Sequence, residues 1–221
     1  MNPKKTHDTV LLTPQTFAKG LRRLAESDST LAAVIAEFGP PPLWTRKPGF
    51  ATLVLIILEQ QVSLASARAV FDQLIGAVTP FSASQFLKTD DKTLKDVGLT
   101  RQKLLYCKEL SKSLVEGRID LRVLDSMPDA EVRAALTAVK GIGPWTADIY
   151  LLMAMRRRDI WPKGDRALET AVRELKGFTG RPLSDGYEEV GAPWRPWRAV
   201  AARILWHYYL STRRKAGWSP P

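Results

Sequence analysis

The chain has 221 residues, enough to bury a full core as one large domain or two small ones. Its 33 Lys and Arg against 23 Asp and Glu leave a formal net charge of +10, which favours a polyanionic partner, nucleic acid first and an anionic membrane surface second. A single cysteine, Cys107, excludes an internal disulfide, a cysteine zinc site and a four-cysteine iron–sulfur cluster, and two histidines (His7, His207) leave no basis for a histidine metal site.

Residues 1–12 begin polar, without the apolar core of a signal peptide, and are expected to be loosely held. The longest apolar run, Leu53 to Leu58, is too short to span a bilayer, so the expectation is a soluble intracellular protein with no membrane partner. Thr13-Pro14 reads as a helix cap followed by proline at the first helical position, with Phe17, Leu21 and Leu24 at helical spacing behind it. Ser29 or Thr30 starts a second helix, and Gly39-Pro40-Pro41-Pro42 ends it as the best linker of the first half. The run from Phe50 to Gln61 is rich enough in β-branched residues for a strand. No second strand-like run stands near to pair with it, so a buried helix is the better reading. It ends in three long polar side chains, Glu59, Gln60 and Gln61, and Ser63 then caps the next helix.

Further helix starts are predicted at Ser82, Asp90 and Thr100, with a stop at Gly117, and Pro128 opens another helix. Gly98-Leu99-Thr100-Arg101-Gln102-Lys103 forms a basic corner. The stretch from Gly177 to Pro193 is loop-rich, and Trp194 to Leu210 returns to helix. The fold class is therefore all-α, with chemistry at the corners between short helices.

The chemistry concentrates between Leu136 and Asp165. A helix breaks at Gly141 and Gly143, resumes at Thr146, and after three arginines a second Gly-led start delivers Asp165. Two glycines let backbone amides close on one phosphate without an intervening Cβ, and the helix that begins there has unpaired donors. Alone, such a corner is as often an ordinary αα-turn, and an aspartate at a helix start is most often a plain cap. Lys140, Arg101 and Lys103 are the candidate phosphate contacts. Asp148 reads as structural rather than catalytic, and Gln60 as a helix-end glutamine bonding a carbonyl.

Val139-Lys-Gly-Ile-Gly-Pro-Trp-Thr-Ala-Asp with Gly164-Asp165 downstream resembles the helix–hairpin–helix DNA glycosylases of base excision repair. Ile57 to Ser63 is similar to the segment that fills the gap left by a flipped nucleotide, and Val97 to Leu104 to the glycine-then-basic corner of that fold. Arg195-Pro-Trp-Arg with Trp206 resembles the alkylation-repair branch, DNA-3-methyladenine glycosylase II. The resemblance implies two helical lobes, residues 44–158 ending in the hairpin and residues 1–43 plus 159–221, with Asp165 at the mouth of a cleft between them. It implies Asp165 as the catalytic carboxylate, Gln61 as the DNA wedge, and Trp145, Trp206 and Ile149 around the damaged base. It further implies a monovalent cation, Na+ or K+, on the backbone carbonyls of Thr137, Val139 and Ile142, with no other cofactor required. The partner is damaged double-stranded DNA, bound by a monomer.

The branch that also cleaves the DNA backbone carries a lysine two residues after the second hairpin glycine. Here that position is Trp145, which has no nucleophilic amine, so hydrolysis without strand cleavage is expected. Two departures stand out: Lys140 replaces the usual hairpin proline, and Ile149 replaces an aromatic often found in the pocket helix.

Overall fold

The structure, a computed structural model, describes residues 11–177 and 187–215. Twelve α-helices run through them in chain order: α1 (Pro14–Ser27), α2 (Ser29–Phe38), α3 (Phe50–Glu59), α4 (Leu64–Ala77), α5 (Ala83–Lys88), α6 (Asp91–Asp96), α7 (Arg101–Val115), α8 (Asp129–Thr137), α9 (Pro144–Ile149), α10 (Arg166–Lys176), α11 (Tyr187–Gly191) and α12 (Arg198–Lys215). Among the described residues there is no strand; one antiparallel bridge joins Leu11 to Arg157. The all-α class holds, and no described helix is long and apolar enough to cross a membrane.

Local chemistry explains most of the starts. Thr13 closes a capping box with Thr16 ahead of Pro14, and the hydroxyls of Ser63, Ser82 and Thr100 and the carboxylate of Asp90 each accept an N–H from the first turn of their helix. α2 starts at Ser29, as expected, and its cap is Asp28, whose carboxylate accepts the amides of Thr30 and Leu31. The same carboxylate also takes the Trp194 indole at 2.9 Å and the Lys176 ammonium at 2.9 Å, so it ties α2 to α10 and to the turn before α12.

Two packing groups follow. The first brings α1, α2, α10 and α12 together; the second brings α4 and α7 against the apolar α3, with α5 and α6 on α7. Nearly all of α3 is buried, which is why its β-branched run is stable as helix: it fills the space between α4, α7 and α9. The helix resumes after the hairpin at Pro144 rather than Thr146, and α9 passes directly into a single π-helical stretch, Tyr150–Ala154.

The Gly39–Pro42 stretch is not a free linker. Arg46 N–H donates to Met153 O, and the Arg46 guanidinium grips Glu59 through two bonds of 2.7 Å, pinning the connector to the end of α3. Leu12 is equally fixed: it is fully buried and its N–H donates to Arg156 O. Arg203 of α12 is buried without a carboxylate and donates to the carbonyls of Ala199, Trp44 and Leu152. Burial pushes its guanidinium down to about 9. The bond to Leu152 O takes a carbonyl from the π-helical stretch and holds α12 against the helix that leaves the hairpin. Of the loop-rich stretch after Gly177, residues 178–186 lie outside the described residues. The part beyond them forms α11 and a 3-10 turn, Ala192–Trp194, so α12 starts at Arg198, four residues later than the pattern implied.

Candidate active site

Gly164 has φ +79°, a conformation that reverses the chain without a Cβ penalty, and Asp165 follows it as the N-cap of α10. Its Oδ1 accepts the Leu168 amide at 3.0 Å. Two indoles complete the arrangement. Trp145 Nε1, from α9, donates to Oδ2 at 3.0 Å, and Trp206 Nε1, from α12, donates to Oδ1 at 3.0 Å. Three helices therefore meet on one carboxylate, and every contact offered to it is a donor, which matches the acceptor-only character of an ionised carboxyl group. Asp165 is only 7% exposed. It is buried where the three helices that hold it meet.

The expected pocket residues are thus brought together, with a different division of labour. Trp145 and Trp206 point their N–H edges at the carboxylate, while Ile149, one turn further along α9 from Trp145, is buried in the core.

The hairpin lies between α8 and α9. Gly141 has φ +96°, and a Cβ there would stand 2.2 Å from the Tyr106 ring of α7, so both backbone and packing demand glycine. Gly143 differs: its φ is ordinary and a Cβ would meet nothing within 4 Å, so the space beside it opens outward. Among the described residues no backbone carbonyl accepts the amides of Gly141, Gly143 or Trp145. Lys140, next to them in the chain, and Arg101, at the start of α7, are exposed. Lys103 is not: its ammonium donates to Leu58 O at 2.5 Å, capping the end of α3, and burial lowers its proton affinity. The intramolecular bond puts it to structural use in place of the expected phosphate contact. Val139 O accepts the Ile142 amide, whereas no backbone amide among the described residues reaches Thr137 O or Ile142 O.

The two glutamines at the end of α3 take opposite directions. Gln60 turns inward, and its amide donates to Gly141 O and Thr146 Oγ1, both at 2.9 Å, stitching α3 to the hairpin. Gln61 is exposed in the left-handed region at φ 59°, flanked by exposed Val62 and Leu64. An open cavity of about 390 Å³ between α1 and residues 193–197 shares no residue with this site.

Residues 54–196 match the family model of the HhH-GPD superfamily base excision DNA repair proteins, a span that includes Gln61, the hairpin and Asp165. The chain belongs to this family. It is 23% identical over 198 residues to the alkylbase DNA glycosidase-like protein mag2 of Schizosaccharomyces pombe, covering 86% of this chain and 92% of that one. Among solved structures it is similar to a DNA-3-methyladenine glycosidase from Bacillus halodurans, with TM-score 0.74 and 27% identity over 90% of this chain and 91% of that one. The fold is also shared with Schizosaccharomyces pombe 3-methyladenine DNA glycosylase Mag1 in complex with abasic DNA, with TM-score 0.78 and 20% identity over 91% and 99% of the two chains.

Within the HhH-GPD chain, one feature of the site escaped sequence reasoning: the role of the indole N–H groups as carboxylate donors, which joins residues 20 and 41 positions apart. Asp148, read from the sequence as structural, is buried on α9 and bonded to Arg133 of α8.

Proposed function

We propose that the chain is a monofunctional DNA glycosylase of the alkylation-repair type. It flips a 3-methyladenine-like purine out of duplex DNA and hydrolyses the N-glycosidic bond, leaving an abasic site. The observation that carries this reading is the buried Asp165 carboxylate, fixed by three N–H donors at 3.0 Å, one of them from the helix that follows the hairpin.

Cleavage of the bond builds positive charge on the sugar, and a fixed carboxylate stabilises it without reorganising during the reaction. The C1′–N bond breaks with its electrons leaving on the base, the water oxygen bonds to C1′ on the face held by Asp165, and the proton that the water loses passes to solvent. An alkylated purine leaves as a neutral base, so no strong general acid is needed. The electron-poor ring also favours stacking on indole, which supports Trp145 and Trp206 as pocket walls in addition to their bonds with Asp165. Gln61 serves as the wedge, because its exposed amide offers both donor and acceptor to the base left behind. Gly141, Gly143, Lys140 and Arg101 hold the backbone of the damaged strand. The free carbonyls of Thr137 and Ile142, with the second lone pair of Val139 O, form a hard-oxygen set suited to a monovalent cation, which would add positive charge beside that phosphate. The protein acts on DNA as a monomer. Trp145 in the lysine position supports hydrolysis without strand cleavage.

The second reading is a monofunctional glycosylase for deaminated or oxidised purines, since Ile149 stands where the branch often has an aromatic ring. The test is release from a panel of single-lesion duplexes, scored as strand breaks with and without alkali. Alkali-dependent breaks on methylated purines, with no borohydride-trapped adduct, are expected. A trapped adduct would overturn the monofunctional reading, and DNA binding without release of any lesion would overturn the enzyme.

A further inference from the structure

Three consecutive residues at the end of α3 are each tied to a different part of the molecule. Leu58 O accepts the Lys103 ammonium of α7, the Glu59 carboxylate takes two guanidinium nitrogens of Arg46 at 2.7 Å, and the Gln60 amide donates to Gly141 O and Thr146 Oγ1, both at 2.9 Å. Gly141 belongs to the hairpin and Thr146 to the helix that follows it, so Gln60 bridges α3 to both. The helix stops at Glu59, and Gln60 has already left it at φ −59° and ψ 120°. Three residues further on, Ser63 is fixed as the N-cap of α4 by its bond with the Ser66 amide. Between these two anchors stands Gln61, exposed and at φ 59°, a conformation rarely adopted by residues other than glycine.

We propose that Gln60 is a positioning residue for base flipping: by joining the end of α3 to the hairpin it holds Gln61 in its left-handed conformation, and so links the hairpin's seat on the DNA backbone to presentation of the wedge. The inference rests on the glycosylase reading and the wedge role given above. Positive φ is unfavourable for a residue with a Cβ and persists only where the flanking chain dictates it. Glutamine is chemically suited to dictate it, because its –NH2 group has two donors and spends one on each partner, Gly141 O and Thr146 Oγ1. Gly141 is itself at φ +96° against the Tyr106 ring, so the carbonyl that Gln60 grips belongs to a peptide with little room to move. An apolar side chain of similar size would fill the same space and leave that carbonyl without its donor. The Arg46 and Lys103 ties would still keep the end of α3 in place, and the wedge alone would be released.

The test compares single-turnover release of one methylated purine placed opposite its proper partner and opposite a mismatch. The variants are Gln60→Leu, Gln60→Glu, Thr146→Val, Gln61→Ala and the double variant Gln60→Leu with Gln61→Ala. Having lost two neutral hydrogen bonds, Gln60→Leu should slow release from the paired lesion by about three- to thirtyfold and from the mismatched one by less than about threefold. Gln60→Glu keeps the shape without the donors and should follow Gln60→Leu, whereas Thr146→Val, which spares the Gly141 bond, should lose less. Because Gln60 acts through Gln61, the double variant should be no more than about threefold slower than the slower single variant. NMR coupling constants should report a fixed positive φ at Gln61 in the wild type and an averaged one in Gln60→Leu. Losses that multiply in the double variant, equal slowing of Gln60→Leu on both duplexes, wild-type rates in Gln60→Glu, or an averaged φ in the wild type would each overturn the positioning role while leaving the glycosylase reading intact. If Gln60→Leu does not fold, the wild-type φ and the paired-to-mismatched ratio of Thr146→Val still decide the matter. Equal slowing of Gln61→Ala on both duplexes would remove the wedge, and failure of the wild type to release any base would remove the glycosylase; the positioning role falls with either.

Discussion

The two working ends of the molecule are built on opposite principles. Asp165 is buried and takes three N–H donors from three helices, while Gln61 stands exposed at φ 59°, followed by exposed Val62 and Leu64. The first is over-determined by the protein; the second is left for a partner to complete. The neighbour Gln60 sharpens the contrast, since the same side chain one position earlier is spent on Gly141 O and Thr146 Oγ1. The group proposed to hold charge in one place is fixed from within, and the group proposed to enter a DNA helix is left exposed.

Breaking the fixed side should be costly. Gly141→Ala, which places a methyl group against Tyr106 at positive φ, combines backbone strain of about 1–3 kcal/mol with overpacking of similar size. Thermal denaturation should show a fall of roughly 5–15 °C. An unchanged melting temperature would mean that Tyr106 yields freely. Trp206→Phe keeps most of the packing and removes one hydrogen bond to the carboxylate, worth about 1.5–3 kcal/mol. Single-turnover release should slow by about 10- to 100-fold with little change in DNA affinity. A loss confined to affinity would show that the indole serves the base alone.

Asp28 offers a smaller test of the same contrast away from the site. Partial burial pushes its carboxyl up, but the Trp194 indole, the Lys176 ammonium and the Leu31 amide outweigh this and hold it below the usual carboxylate range. A depressed carboxyl contributes stability above its unfolded value of 3.8, and that stability is lost as pH falls through the lower folded value. Asp28→Asn should therefore be less stable near neutrality and lose less than the wild type in the acid limb, read from urea melts between pH 2 and pH 6. Parallel pH profiles would contradict the account. The smallest effect belongs to the exposed end: Gln61→Ala should alter stability by less than about 0.5 kcal/mol. It should slow release from paired lesions more than from mismatched ones, and equal slowing on both would reject the wedge.

How much of this was legible in the sequence follows the same division. Caps at Thr13, Ser63, Ser82, Asp90 and Thr100 were readable because a hydroxyl or carboxylate bonds an amide two or three residues away. Asp165 and the hairpin were readable from glycine spacing. The start of α2 at Ser29 was readable, but the use of Asp28 was not, because its contacts with Trp194 and Lys176 lie more than 140 positions away. Lys103 was misjudged for a similar reason: a basic side chain at a corner gives no sign that a carbonyl 45 residues earlier awaits it. The π-helical stretch, buried Arg203 and the Asp148 pair depend on tertiary contacts with no local signature.

The central claim is that the indole-held Asp165 carboxylate performs the chemistry, and Asp165→Asn tests it most directly. The substitution keeps the shape but presents an amide donor to at least one of the surrounding N–H groups. Single-turnover release from a methylated duplex should fall by at least about a hundredfold, with binding to an abasic duplex largely retained. Release at the wild-type rate would contradict the account.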